Sequence, residues 1–254
     1  MNGSWRGGRQ DVTVRPFRDL RTLGHWLVRL MVISIAVDLI AIYLDLDYLD
    51  FFSRVRSGEA VTIEEALSLD RRQGQLAVAQ IGIFILVGIA FLVWFRRAYR
   101  NLPSLGARWL RFAPGWAIGS WFVPLLNLVR PKEIANDIWR VSDPSLPPEL
   151  DDPALGGRVS PLLDAWWAAF LLFGGFARVV ARSDESATTV EELERVAQMT
   201  MWLDAAAIGV TLLWLWVVRS TTARQLERHA TLARIEKELG DPSLSEVERS
   251  DNAT

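Results

Sequence analysis

Cysteine is absent from this 254-residue chain and histidine occurs only twice. The first absence excludes disulfides, thiolate metal sites and cysteine nucleophiles. The two histidines, His25 and His229, lie far apart and at different helix ends, so no metal site and no cofactor is expected. Catalytic signatures are missing too: there is no HExxH, no GxSxG, no GxxxxGK and no GxGxxG. Glu133 with Asp137, one helical turn apart, is the only local acid pair that an enzyme could use, and the expectation is a non-catalytic protein. An excess of either charge is also lacking. The net charge of −2 gives no footprint for nucleic acid, and basic residues are not interleaved with aromatics as in an RNA reader.

Apolar residues, by contrast, make up 50% of the chain, and they are segregated. No charged residue occurs between Arg72 and Arg96. The stretch from Gly74 to Phe95 reaches roughly 33 Å as a helix, enough to cross the hydrocarbon of a bilayer. Comparable segments run from Leu23 to Leu44, Leu162 to Ala181 and Met199 to Val218. The first of these is long, holds Arg29 and Asp38 and lacks a small-residue cleavage site, so it reads as a span rather than a signal peptide. Twelve tryptophans, many near the ends of apolar stretches, read as an aromatic belt at the headgroup level. The expected fold is all-α: a polytopic helical membrane protein with four transmembrane helices in two hairpins.

A fifth segment, residues 112–130, is apolar but short and carries Pro114 and Pro124. It suits a re-entrant or interfacial segment, with a kinked fifth span as the alternative. Charge favours four spans, because cytoplasmic flanks accumulate Lys and Arg. Basic residues crowd the tail 1–22, the stretch from Arg96 to Arg111 and the flank after Arg219. Acidic residues dominate the loop from Asp45 to Asp70 and the loop after Arg182. Both termini are therefore expected in the cytoplasm. Residues 23–226 form the membrane domain and 227–240 a cytoplasmic helix with a weak apolar stripe. Residues 142–153, SDPSLPPELDDP, read as an acidic, proline-rich loop or linker, and 241–254 as a disordered tail.

The two hairpins carry a trace of duplication. Thr62 stands three residues ahead of Glu65, as Thr189 does ahead of Glu192, which is a capping-box pattern in both cases. At the inner ends the chain reads YRNL from Tyr99 and ARQL from Ala223, 124 residues apart. Parallel repeats of this kind are related by an axis along the membrane normal, and chance similarity of helix ends is the other explanation.

Ionisable groups inside spans are costly and point to function. Asp38, Arg178 and Asp204 fall at similar depth in three spans. The 124-residue offset maps Gln80 of the fourth span onto Asp204. These four residues form a candidate polar cluster with two readings: a site for an ion or proton, or a salt bridge in which Arg178 neutralises both carboxylates and locks the bundle. A second candidate site lies on the proline-broken segment and the helix after it: Trp116, Trp121, Pro124, Asn127, Arg130 and Trp139. There Gly115 and Gly119 form a GxxxG pair expected to allow close helix approach, and Pro131 is expected to open an amphipathic helix.

The residues RRAYRNL from Arg96, RFAPGWAIGSWFVPLLNLVRP from Arg111 and EIANDIWRVSDP from Glu133 resemble the bacterial membrane proteins grouped as domain of unknown function 4328. The resemblance covers the chain loosely from Leu23 to Leu226. It implies a multi-span protein of a bacterial inner or plasma membrane, often from high-GC genomes, and carries no activity, ligand or catalytic residue. The leading functional expectation is a scaffold or regulatory component acting through unknown protein partners or lipid. Its working surfaces would be Trp116 to Asp143 and the helix after Arg219, and anionic headgroups would sit at Arg96, Arg97, Arg100, Arg108 and Arg111. The alternative is a small-solute or ion transporter or channel component using the polar cluster.

Overall fold

The computed structural model describes residues 10–11, 16–150 and 158–239. Six α-helices are defined: α1 (Arg21–Arg56), α2 (Ile63–Arg100), α3 (Trp116–Gly119), α4 (Arg130–Val141), α5 (Pro161–Ser186) and α6 (Val190–Leu239). The only strands among the described residues are a two-residue antiparallel pair, β1 (Gln10–Asp11) with β2 (Trp109–Leu110).

Helices α1, α2, α5 and α6 are long and apolar enough to cross a membrane, with mean hydropathies of 2.3, 2.7, 1.4 and 1.8 over their most apolar windows. They also leave large apolar side chains such as Ile33, Ile40, Phe84, Ile89, Leu172 and Leu212 exposed. A water-soluble protein does not display such continuous apolar surface, and hydrocarbon is the solvent that suits it. The chain is a four-span helical membrane protein. Residues 112–130 do not form a fifth span: they hold only the four residues of α3 and a 3₁₀ turn over Leu126–Leu128.

The helices outrun their apolar cores, and three expectations change as a result. The loop read from Asp45 to Asp70 shrinks to residues 57–62, because α1 and α2 continue as polar helix on either side of it. The loop after Arg182 shrinks to 187–189. The last span and the cytoplasmic helix are one uninterrupted 50-residue helix, α6, whose polar half contains no breaker until Gly240. Both capping boxes form. The Glu65 amide donates to Thr62 Oγ1 at 3.1 Å and the Glu192 amide to Thr189 Oγ1 at 3.3 Å. Amides of Thr188 and Thr189 in turn donate to the Glu192 carboxylate, which holds that carboxyl below its usual range.

The chain forms two compact units. One consists of Leu23–Phe91 and Pro161–Arg219, the apolar parts of the four long helices. Its core includes an aromatic cluster in which the Trp214 ring meets those of Phe91, Trp166 and Phe170 at 4.3, 5.8 and 5.8 Å between centroids. The tryptophans are therefore not one belt: Trp94, Trp166 and Trp167 are buried, whereas Trp26 and Trp202 are exposed.

The other unit gathers the described residues up to Thr22, within Leu92–Ser160 and from Ser220 to Leu239. Pro131 lies in the first turn of α4, whose Ile134, Ala135 and Ile138 are buried. The segment 142–150, expected as part of a loop or linker, is a loop tied down by its neighbours. Arg228 is fully buried, and its guanidinium donates to three backbone carbonyls, those of Leu105 (3.2 Å), Leu146 and Pro147 (2.5 Å). Burial pushes the Arg228 guanidinium down from its usual value, against the pull of the Asp143 charge, but arginine stays charged, and its hydrogen bonds go to carbonyl dipoles. Arg224 lies over the Trp139 ring at 4.3 Å and pairs with Asp143 at 3.0 Å. Gly106 makes the fit possible: its φ is +103°, and a Cβ there would overlap the Pro148 carbonyl oxygen. Residues 151–157 and the tail from 240, including the disordered tail expected over 241–254, lie outside the described residues.

Candidate functional site in the membrane unit

Three of the four residues of the polar cluster meet. One amide nitrogen, Gln80 Nε2 on α2, donates to Asp38 Oδ1 on α1 at 3.3 Å and to Asp204 Oδ1 on α6 at 3.0 Å. Both carboxylates are more than nine-tenths buried. An amide carries two N–H donors on one nitrogen, so it can serve two acceptors at once, which a single hydroxyl cannot.

Arg178 does not join them. Its Nη1 donates to the Gly174 carbonyl one turn back on α5, at 2.8 Å, and it makes no ion pair among the described residues. An arginine can satisfy itself on its own helix while its long side chain stays exposed. The salt-bridge reading, in which Arg178 balances Asp38 and Asp204, has no geometric support.

A third acid takes its place. Asp45, assigned from sequence to the outer loop, lies within α1 and is 1% exposed. Its Oδ1 accepts from Gln73 Nε2 at 2.8 Å. Asp45 Oδ2 is buried and has no donor. Asp38 and Asp45 stand seven residues apart on α1, as do Gln73 and Gln80 on α2. Seven residues are two helical turns, so each pair shares one helix face. That spacing was the signal in the sequence that could have found Asp45.

The same antiparallel register continues past Asp45 and Gln73. Tyr48 Oη donates to Asp70 at 2.8 Å, and Arg54 pairs with Glu65 at 2.5 Å and with Glu59 at 3.0 Å. The α1–α2 seam is thus apolar up to Asp38–Gln80 and polar from there to the short connection at 57–62. Arg56 closes that end by pairing with Glu194 of α6 at 3.0 Å.

The 124-residue offset recurs in the contacts of α2 and the residue following it with α6. Gln80 bonds Asp204, and in the other unit Asn101 Nδ2 bonds Gln225 Oε1 at 3.1 Å; both pairs are 124 residues apart. Both pairs join α2 or the residue following it to α6, as two helices running in parallel at one constant register do, and neither explanation of the offset is singled out by it.

The second set of sequence candidates is only partly brought together. Arg130 sits over the rings of Phe112 and Trp116, at 4.7 and 4.9 Å. Trp121 meets Phe95 edge-on at 6.1 Å, and Trp139 lies under Arg224. Asn127 contributes its backbone amide to the Val123 carbonyl at 3.0 Å, and Pro124 its carbonyl to the Leu126 amide at 2.8 Å. The glycine pair does not serve close approach: a Cβ at Gly115 would meet nothing within 4 Å, and one at Gly119 only the Trp116 ring at 3.8 Å. Glu133 and Asp137, the acid pair of the enzyme reading, both face Arg111, at 3.8 and 3.4 Å.

The family model for the domain of unknown function DUF4328 matches residues 57–223. The chain belongs to the DUF4328 family. The matched region of this DUF4328 protein includes Gln80 and Asp204 and stops short of Asp38 and Asp45. No curated protein and no solved structure matches the chain.

Proposed function

We propose that this DUF4328 protein binds and relays protons within the membrane, as a component of small-solute or ion transport. The observation that carries this reading is the composition of the buried cluster: Asp38, Asp45 and Asp204 are bonded by the amides of Gln73 and Gln80, with no cation among the described residues around them. Three ionised carboxylates in an apolar interior lack any counter-charge, and that arrangement is not sustainable. A proton held on one of these carboxyls supplies what the electrostatics require, and Asp45 Oδ2, buried without a donor, has room for one. A bound metal ion fits less well, because among the described residues no group of three or more Asp, Glu, His or Cys is placed to hold one. Two further polar pairs, Asp45–Gln73 and Tyr48–Asp70, stand in the α1–α2 seam between the cluster and the 57–62 connection.

The reading places the protein in a bacterial inner membrane with its basic flanks, and so both termini, in the cytoplasm. The Asp45–Asp204 cluster then lies toward the outer face. It assigns no catalytic step to any residue. Anionic headgroups at Arg96, Arg97, Arg100, Arg108 and Arg111 accompany the same orientation. The scaffold reading draws on different features, the aromatic-rich broken segment and the basic stretch from Arg96 to Arg111.

The test is proton flux into proteoliposomes carrying an internal pH dye, under an imposed gradient and with a potassium clamp. Flux is expected in the wild type and in Arg178→Gln, and its loss in Asp204→Asn. Equal flux in protein-free vesicles, or no effect of Asp204→Asn, would overturn the proposal.

A further inference from the structure

The stretch after α3 is the least protein-like surface of its unit. Over Phe122–Val129, five large apolar side chains stand in solvent: Phe122 (71% exposed), Val123, Leu125 (80% exposed), Leu128 and Val129. Leu125 adopts φ +66° and ψ −41°, with the Leu126 amide bonded to the Pro124 carbonyl across it at 2.8 Å, a γ-type turn that is rare and strained. That strain holds an apolar side chain outward, which water would not favour. Exposure of this kind matches the lipid-facing residues of the spanning helices rather than a water-facing loop.

The base of the loop carries a free cation. Arg130 makes no ion pair among the described residues, its Nε is buried without an acceptor, and its guanidinium plane is held between Phe112 and Trp116. The neighbouring cations differ: Arg111 is matched by Asp137 and Glu133, and Arg108 by Glu149. A planar, unmatched guanidinium fixed by aromatic rings beside an apolar tip is the chemistry that takes a phosphate oxygen at the headgroup level.

We infer that the loop Phe122–Val129 is immersed in the hydrocarbon edge of a phospholipid bilayer, with Arg130 holding a lipid phosphate at its base. The inference stands apart from the proton cluster, since it uses no residue of it. It assigns the proline-broken segment as a lipid anchor: Pro124 and the strained Leu125 turn the chain so that it enters and leaves on one side.

The natural absence of cysteine makes the test direct. Spin labels at Phe122→Cys and, separately, Leu125→Cys are measured in the full-length protein in phosphatidylcholine–phosphatidylglycerol nanodiscs, with Glu149→Cys as an exposed polar control. Collision with oxygen should exceed collision with a water-soluble nickel chelate at both loop positions, and the order should reverse at Glu149→Cys. Adding Arg130→Gln should shift the Phe122→Cys label toward water. Loop labels that meet the nickel chelate more than oxygen would overturn the inference, as would labels shielded from both reagents, the mark of a protein partner or a second copy. An unmoved label in Arg130→Gln would remove the phosphate contact.

Discussion

Replacing Gln80 by leucine tests whether the cluster exists as drawn. Gln80 Nε2 serves Asp38 at 3.3 Å and Asp204 at 3.0 Å, so leucine deletes two interhelical bonds and strands two buried acceptors. In water-soluble proteins, leaving a buried polar group unsatisfied costs about 1–3 kcal/mol each. Interhelical bonds inside membranes measure less, on the order of 0.6 kcal/mol and up to about 1.7, because the unfolded chain also finds partners in the bilayer. Two such bonds set the expectation for Gln80→Leu at about 1–3 kcal/mol of destabilisation. The triple variant Asp38→Leu, Gln80→Leu, Asp204→Leu removes donor and acceptors together and should recover to within about 1 kcal/mol of wild type, since a fully apolar replacement of a buried polar group is often neutral. The assay is reversible unfolding in mixed micelles of increasing denaturing-detergent fraction. A Gln80→Leu protein within about 0.5 kcal/mol of wild type, or a triple variant less stable than the single one, would refute the reasoning.

Other outcomes follow from the second unit. Arg228→Met removes three charge-assisted bonds to the carbonyls of Leu105, Leu146 and Pro147. It should cost several kcal/mol, about 1–3 for each stranded acceptor at most, and release residues 142–150 to rapid amide exchange; unchanged protection there would contradict the anchoring role. Gly106→Ala places a Cβ against the Pro148 carbonyl at φ +103° and should destabilise by more than the roughly 1 kcal/mol of the backbone conformation alone, measurable in the same unfolding assay. Asp143 gives a pH signature. Burial raises its pKa, but bonds from the Ser145 amide and hydroxyl and the Arg224 guanidinium outweigh that and hold it below its ordinary 3.8. A carboxyl depressed in the folded state stabilises above its unfolded pKa and loses that contribution as pH falls through the folded one. The stability gap between wild type and Asp143→Asn should therefore be flat from pH 7 to about pH 5 and close below about pH 4; a gap that grows on acidification would be the wrong sign.

The spanning helices were legible because their signal is compositional: a charge-free run such as Gln73–Phe95 needs no tertiary information. Helix ends were less so. The apolar window stops where lipid stops, but a helix continues wherever the next residues are good helix formers, so α1 runs on through Asp45 to Arg56 and α6 to Leu239. That error hid Asp45, which depth counting had placed outside. The capping boxes were readable because they are local patterns. Arg178 was misread for a physical reason: opposite charge at equal depth is only an opportunity, and a carbonyl one turn away on its own helix is always within reach. The glycine pair failed likewise, since GxxxG states that close approach is permitted and not that another helix comes near. The tie between Arg228 and residues 146–147 joins segments more than eighty residues apart, and no spacing rule reports that.

The most direct measurement of the central claim is difference infrared spectroscopy of the full-length protein in nanodiscs, comparing wild type with Asp204→Asn at pH 7 and exchanging H₂O for D₂O. The account predicts a protonated carboxylic acid band in the wild type that shifts on deuteration and is absent or displaced in Asp204→Asn. A wild type with no such band, its carboxylates all ionised at pH 7, would contradict it.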